Sequence, residues 1–186
     1  MEIFDSHCHL NDDQLYSKID EVILRAQQAG VTKMLVVGWD YNSSIRAIEI
    51  AHTYDFCYAA IGFHPCDVFD VSDAEFNEVL NLYSDEKVVA IGEIGLDYHW
   101  VKDPRDREVQ KEFFIKQIKF ANEHKLPISI HNRDAFEDCL KILKENKPLY
   151  GGIMHCYSGS VESMEEVIKL GLHIGLGGPL TFTNAK

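Results

Sequence analysis

The chain has 186 residues with 46% hydrophobic content and a formal net charge of −12, which suits one domain over residues 1–186. That charge excludes a protein that coats nucleic acid through a general basic surface; local capture of phosphate through cations and a few basic side chains remains open. No run of about 18 apolar residues would cross a bilayer, and acidic Glu2 and Asp5 stand where a secretory signal would be basic. The five cysteines, Cys8, Cys57, Cys66, Cys139 and Cys156, never form Cys-x-x-Cys, so neither a disulfide framework nor a zinc knuckle is indicated. A cytoplasmic setting is expected, with no membrane contact and no obligate protein partner.

The lead Met1-Glu2-Ile3-Phe4 reads as a strand ending in Asp5-Ser6-His7-Cys8-His9. Leu15, Ile19, Val22, Ile23 and Ala26 share one helical face, and Gly30 ends that helix. Met34 to Val37 is a second strand, Ile45, Ile48 and Ala51 mark the next helix, and Cys57 to Ile61 is a third strand. Ser72 and Glu75 form a capping box ahead of Phe76, Val79, Leu80 and Tyr83. Val88 to Ile91 is strand four. A long helix from near Asp106 to His124 carries Val109, Phe113, Gln117 and Ala121 on its buried side. Pro127 to Ile130, Gly152 to Met154 and Leu172 to Leu176 are strands five to seven, separated by helices around Phe136–Leu143 and Met164–Leu170.

Strands alternating with helices imply parallel strands joined by right-handed crossovers. Seven of them, with no Gly-x-Gly-x-x-Gly after the first, favour an α/β fold of the (β/α) TIM-type barrel class. A closed barrel has eight strands, so the eighth strand and last helices are expected to be lacking. In such barrels the chemistry sits at the C-terminal strand ends. Those ends here carry His7 and His9, His64, Glu93, His131 and Arg133, and His155. His7 and His9 lie two apart on a strand and point the same way. Together His7, His9, His131, His155 and Glu93 offer nitrogen and oxygen donors, and the Glu93 carboxylate can bridge two ions. Blander roles are available: His64 before Pro65 could shape a loop, and Arg133 and Asp134 could form a surface ion pair of little weight. Cys8 and Cys156 read as small buried filler beside ligands. No nucleophile elbow or Walker motif competes.

Six motifs in order carry a family resemblance: Asp5-Ser6-His7-Cys8-His9, Gly62-Phe63-His64-Pro65, Gly92-Glu93-Ile94-Gly95-Leu96-Asp97-Tyr98, Ile130-His131-Asn132-Arg133, His155-Cys156-Tyr157-Ser158-Gly159 and Gly178 to Ala185. The chain resembles the TatD family of metal-dependent deoxyribonucleases, within the amidohydrolase-like superfamily. The resemblance implies a site with two divalent ions, magnesium, manganese or zinc. His7, His9 and Glu93 would hold one, and Glu93 would bridge to a second held by His131 and His155. It also implies 3′ to 5′ hydrolysis of phosphodiester bonds with DNA as substrate, Glu93 as the catalytic carboxylate, and His64 and Arg133 facing the substrate phosphate. Family members carry a further Glu-Thr-Asp motif at strand eight, whose aspartate binds the first ion. Nothing here supplies it, so a C-terminally incomplete hydrolase domain is expected. The competing expectations are a metal-dependent amide or ester hydrolase of the same superfamily, and an inactive truncated product. Against the amide hydrolase, His131 holds the strand-five position where a carbamylated lysine would bridge the ions.

Overall fold

The computed structural model describes residues 2–184; Met1 at the head of the expected first strand, and Ala185 and Lys186 at the end of the last motif, lie outside the described residues. One sheet contains β1 (Ile3–Cys8), β2 (Val31–Val37), β3 (Cys57–Ile61), β4 (Val88–Asp97), β5 (Ile128–Arg133), β6 (Gly152–Met154) and β7 (Leu172–Ile174). The strands lie in sequence order and every neighbouring pair is parallel. Helices cross between them: α1 (Asp13–Tyr16), α2 (Ile19–Gln28), α3 (Tyr41–Thr53), α4 (Asp73–Asn81), α5 (Pro104–Glu123), α6 (Phe136–Glu145) and α7 (Val161–Lys169).

Local chemistry accounts for most boundaries. The first expected helix is two, because Asp12 caps α1 through Gln14 N and the chain breaks at Ser17 and Lys18 before α2. Gly30, at φ 94°, turns the chain into β2. The Ser72–Glu75 capping box is made in both directions. Pro104 opens α5, where a missing N–H costs nothing.

The sheet is strongly curled. The His7 ring, on β1, stacks on that of His155, just past β6, with centroids 3.8 Å apart and planes 4° from parallel. His7 Nδ1 also meets Ser129 Oγ on β5 at 2.8 Å. Among the described residues β1 and β7 do not pair with each other, so the strands form an open barrel wall of the TIM type. The main core lies between sheet and helices, around Val36, Ile61, Ile91, Ile94, Phe114, Ile118 and Leu143. Leu35, Val37, Ala60 and Ala90 form a smaller cluster on the opposite face.

Strand four departs most from expectation. It runs on past Ile91 to Asp97, paired with β5 through Gly95–His131, Leu96–Asn132 and Asp97–Arg133. Gly95 makes this possible: at φ 146°, a Cβ there would lie 1.9 Å from the His131 carbonyl oxygen. The glycine that suggests a turn instead permits a close strand approach.

Two buried amides of α5 hold the loops above the sheet. Gln117 Oε1 accepts from Phe63 N (2.8 Å) and its Nε2 donates to Phe63 O (3.2 Å). Gln110 Oε1 accepts from Asp97 N (3.0 Å), and its Nε2 donates to Pro65 O (2.9 Å). Gln117→Leu keeps the volume but orphans both Phe63 groups, at about 1–3 kcal/mol for each unsatisfied buried group. A urea unfolding curve of that variant is expected to shift to a lower midpoint. An unchanged midpoint would show that the amide does not hold the loop.

Candidate metal centre

Five of the nine histidines of the chain gather around Glu93. This carboxylate is 4% exposed and projects from the middle of β4. Its two oxygens face different partners. Oε2 lies 3.5 Å from His7 Nε2 and 3.3 Å from His9 Nε2. Oε1 lies 2.8 Å from His131 Nδ1 and 2.8 Å from His155 Nε2. His7 Nε2 and His9 Nε2 are 3.1 Å apart, and His131 Nδ1 and His155 Nε2 are 3.4 Å apart. His64 Nε2 is further out, 3.8 Å from Oε1.

The rear nitrogens are tied down, which fixes where the front nitrogens point. His9 Nδ1 donates to Val37 O at 3.1 Å, and His7 Nδ1 reaches Ser129 Oγ. His131 Nε2 donates to Asp97 Oδ2 at 3.0 Å. His64 Nδ1 accepts from Cys66 N at 3.1 Å, leaving Nε2 as the protonated nitrogen. Only His155 Nδ1, among the buried ring nitrogens described, has no hydrogen-bond partner.

Burial and charge compete at every group. Burial pushes the Glu93 carboxyl up, but hydrogen bonds from His131, His155, His7 and His9 outweigh it and hold the group well below the carboxylate range. Burial pulls His7 and His64 down to about 4 each, so both rings are neutral. At His131 and His155 burial acts the same way; Asp97 and Glu93 reverse it at the first, Cys156 and Glu93 at the second, and both rise.

The donors fit a divalent cation. The His7–His9–Glu93 edges of 3.1, 3.3 and 3.5 Å bracket the edge of about 3.3–3.4 Å implied by tetrahedral bonds of about 2.0–2.1 Å. Ring nitrogens held from behind by a carbonyl or a carboxylate are the usual support of metal-bound imidazoles. Other groupings also bring their donor atoms close together, namely His7, Glu93 and His155, and His64, Asp97 and His131. We favour the division by Glu93 oxygens, because it uses His9 and leaves Asp97 as the rear partner of His131.

Arg133 stands apart from the cluster, exposed at the end of β5, with its guanidinium 5.6 Å from the Trp100 ring centroid. It makes no ion pair with Asp134 among the described residues; Asp134 pairs with His99 at 3.2 Å. Cys8 is half-buried and donates to Leu35 O. Cys156 is exposed, contrary to the reading of it as buried filler, because its backbone turns out at φ 44°. His52, His99, His124 and His173 do not touch the cluster. Sequence reasoning missed Asp97 and Ser129. Asp97 was detectable: Glu93, Gly95 and Asp97 alternate along one strand face.

Known proteins share this architecture. The family described as "TatD related DNase" matches residues 4–186. An uncharacterised metal-dependent hydrolase of Bacillus subtilis, YabD, is 50% identical over 185 residues, covering 99% of this chain and 72% of that protein. The protein named 3′-5′ ssDNA/RNA exonuclease TatD of Salmonella typhimurium is 35% identical over 177 residues, covering 95% of this chain and 67% of that protein. The crystal structure of the TatD homologue YJJV of Escherichia coli K12 superposes with a TM-score of 0.90 at 33% identity, over 99% of this chain and 71% of that one. No helix among the described residues is long and apolar enough to cross a membrane. With the barrel wall and the histidine–glutamate cluster, these matches establish that the chain belongs to the TatD-related family of metal-dependent hydrolases.

Proposed function

We propose that residues 1–186 form one hydrolase domain with a two-cation phosphodiesterase centre, acting on DNA in the 3′ to 5′ direction. The observation that carries this reading is the division at Glu93, one oxygen towards His7 and His9 and the other towards His131 and His155. In it His7, His9 and Glu93 hold one divalent ion, and Glu93, His131 and His155 hold the second. The imidazole-rich donor set suits zinc, and magnesium or manganese enters from the family resemblance. Bound there, such ions supply a polarised phosphoryl oxygen, a more acidic water and a steadied leaving oxygen. The name of the Salmonella relative supports nucleic acid as the substrate class.

The side chains supply placement. Asp97 accepts the His131 Nε2 proton, so the Nδ1 lone pair faces the centre. His64 offers a neutral Nε2–H, which binds a phosphate oxygen without repelling neighbouring cations. The planar Arg133 guanidinium can take two phosphate oxygens at once.

Glu93→Gln is expected to reduce manganese-dependent release of nucleotides from a short single-stranded DNA to background. Normal turnover by that variant would refute the bridging role. Arg133→Ala should raise KM roughly tenfold or more, the loss of a hydrogen bond to a charged group being about 1.5–3 kcal/mol. If kcat falls and KM stays constant, Arg133 acts elsewhere than in phosphate binding.

Asp97→Asn tests the rear support. Losing the carboxylate behind a liganding imidazole weakens metal affinity about 10- to 100-fold. Calorimetric titration with manganese should show that loss in the His131 half of the centre. Unchanged affinity for both ions would remove Asp97 from the account.

A further inference from the structure

The chain has two tryptophans, and both stand at the rim of the cluster. Trp39 follows β2, with its ring 5.3 Å from that of His9. Trp100 follows β4 and is 68% exposed, so much of its indole is open to a ligand.

The two sides of the rim differ in charge. The cavity beside Trp39, about 600 Å³, is lined by Asp12, Asp67 and Glu93, with no lysine or arginine. The cavity on the opposite side, about 620 Å³, is lined by His131, Arg133, His155 and Tyr157, with no aspartate or glutamate. Carboxylates crowd the first side, beside His9 and His64, whereas none lines the second, where Arg133 offers its charge to a polyanion. Trp100 belongs to the accepting side, through its contact with Arg133.

Trp100 is also held in place. Asp97 Oδ1 accepts from Trp100 N at 2.8 Å, while Oδ2 of the same carboxylate accepts from His131 Nε2 at 3.0 Å. Asp97 is 1% exposed. The His99 ring meets the indole edge-on at 4.8 Å and is itself anchored on Asp134. Tyr98 N donates to Arg133 O at 2.8 Å, which closes the β4 and β5 ends together. One buried carboxylate therefore sets both a candidate ligand and the Trp100 backbone in a common frame.

We propose that Trp100 is a stacking platform for one nucleobase of a single-stranded nucleic acid, with Arg133 on the phosphate attached to it. This deepens the nuclease reading and rests on it. Every base has a π-face, so the contact is tolerant of sequence, and arginine beside the ring adds to it. A base within a duplex is covered by its neighbours and cannot use the platform. Preference for an unpaired strand follows from that contact.

The test uses Trp39→Phe, which leaves Trp100 as the sole indole, with calcium in place of manganese, so that the centre carries cations while the probes stay intact over the titration. The probes are a thymidylate tetramer and an abasic tetrahydrofuran tetramer with the same phosphates. Quenching of Trp100 emission by the thymidylate probe alone is expected. Equal responses, or none from either probe, overturn the proposal. Trp100→Ala should weaken thymidylate binding, read by anisotropy of a labelled probe, roughly 5- to 150-fold, and leave abasic binding unchanged. Trp100→Phe should recover most of the loss; recovery would not follow if the indole only supported the fold. Manganese-dependent hydrolysis of both probes, assayed in parallel, separates the two claims. Hydrolysis with equal KM for both, unaltered in Trp100→Ala, removes the platform and leaves the nuclease reading standing. Absence of hydrolysis with base-dependent quenching removes the reading and keeps a base-binding surface.

Discussion

Everything at the top of this barrel depends on burying one carboxylate. An isolated charge moved from water to the interior costs several kcal/mol even after relaxation. Glu93 meets that cost with donor nitrogens from three other strand ends: His7 on β1 and His9 just past it, His131 on β5 and His155 after β6. The requirement runs both ways. For those rings to reach one side chain, the sheet must curl until β1 faces β5 and β6, and the His7–His155 stack records that curl. Curvature and site geometry are thus one constraint.

A second layer keeps the first from relaxing. Four imidazoles around one carboxylate would rotate to suit themselves if only their front nitrogens were bonded. Val37 O, Ser129 Oγ and Asp97 Oδ2 hold three of them from behind. The α5 amides then hold Phe63, next to His64, and Asp97 itself. Helix packing below the sheet is transmitted to ring orientation above it through hydrogen bonds of 2.8–3.1 Å, buried at the α5 amides and half-buried at the rings. Substitutions on α5 are therefore felt at the centre without touching it.

How far the sequence disclosed this follows from which signals are periodic. Strand order, the parallel wall and the convergence of His7, His9, His131, His155 and Glu93 were legible, because strand-end position is all that a (β/α) barrel needs to bring residues together. Asp97 was not assigned, since strand four was read only from Val88 to Ile91. Gly95 is there because His131 O fills the space a Cβ would need, a fact about the neighbouring strand that no local pattern contains. Trp100 sits in a loop, where no periodicity marks it. Cys156 was misplaced for a related reason: a positive φ at a non-glycine residue is set by the turn it closes, and cysteine usually reads as buried.

Net charge sets the last constraint. At −12 the molecule as a whole repels a polyanion, yet salt limits that repulsion to about 8 Å at physiological ionic strength. Only the groups near a bound strand decide whether it stays. Along the β5–β6 side those groups are Arg133, hydrogen-bonded polar residues, exposed aromatic surface and one carboxylate, Asp134, paired with His99, while Asp12 and Asp67 lie on the other side. A site with few cations makes few phosphate contacts, and counterion release then contributes little. In the proposed nuclease, affinity would come from cations at Glu93 and from contacts that carry no charge. Stacking is the contact of that kind that does not depend on base identity. An acidic protein can in this way hold one strand end at its centre without coating the rest of the polymer.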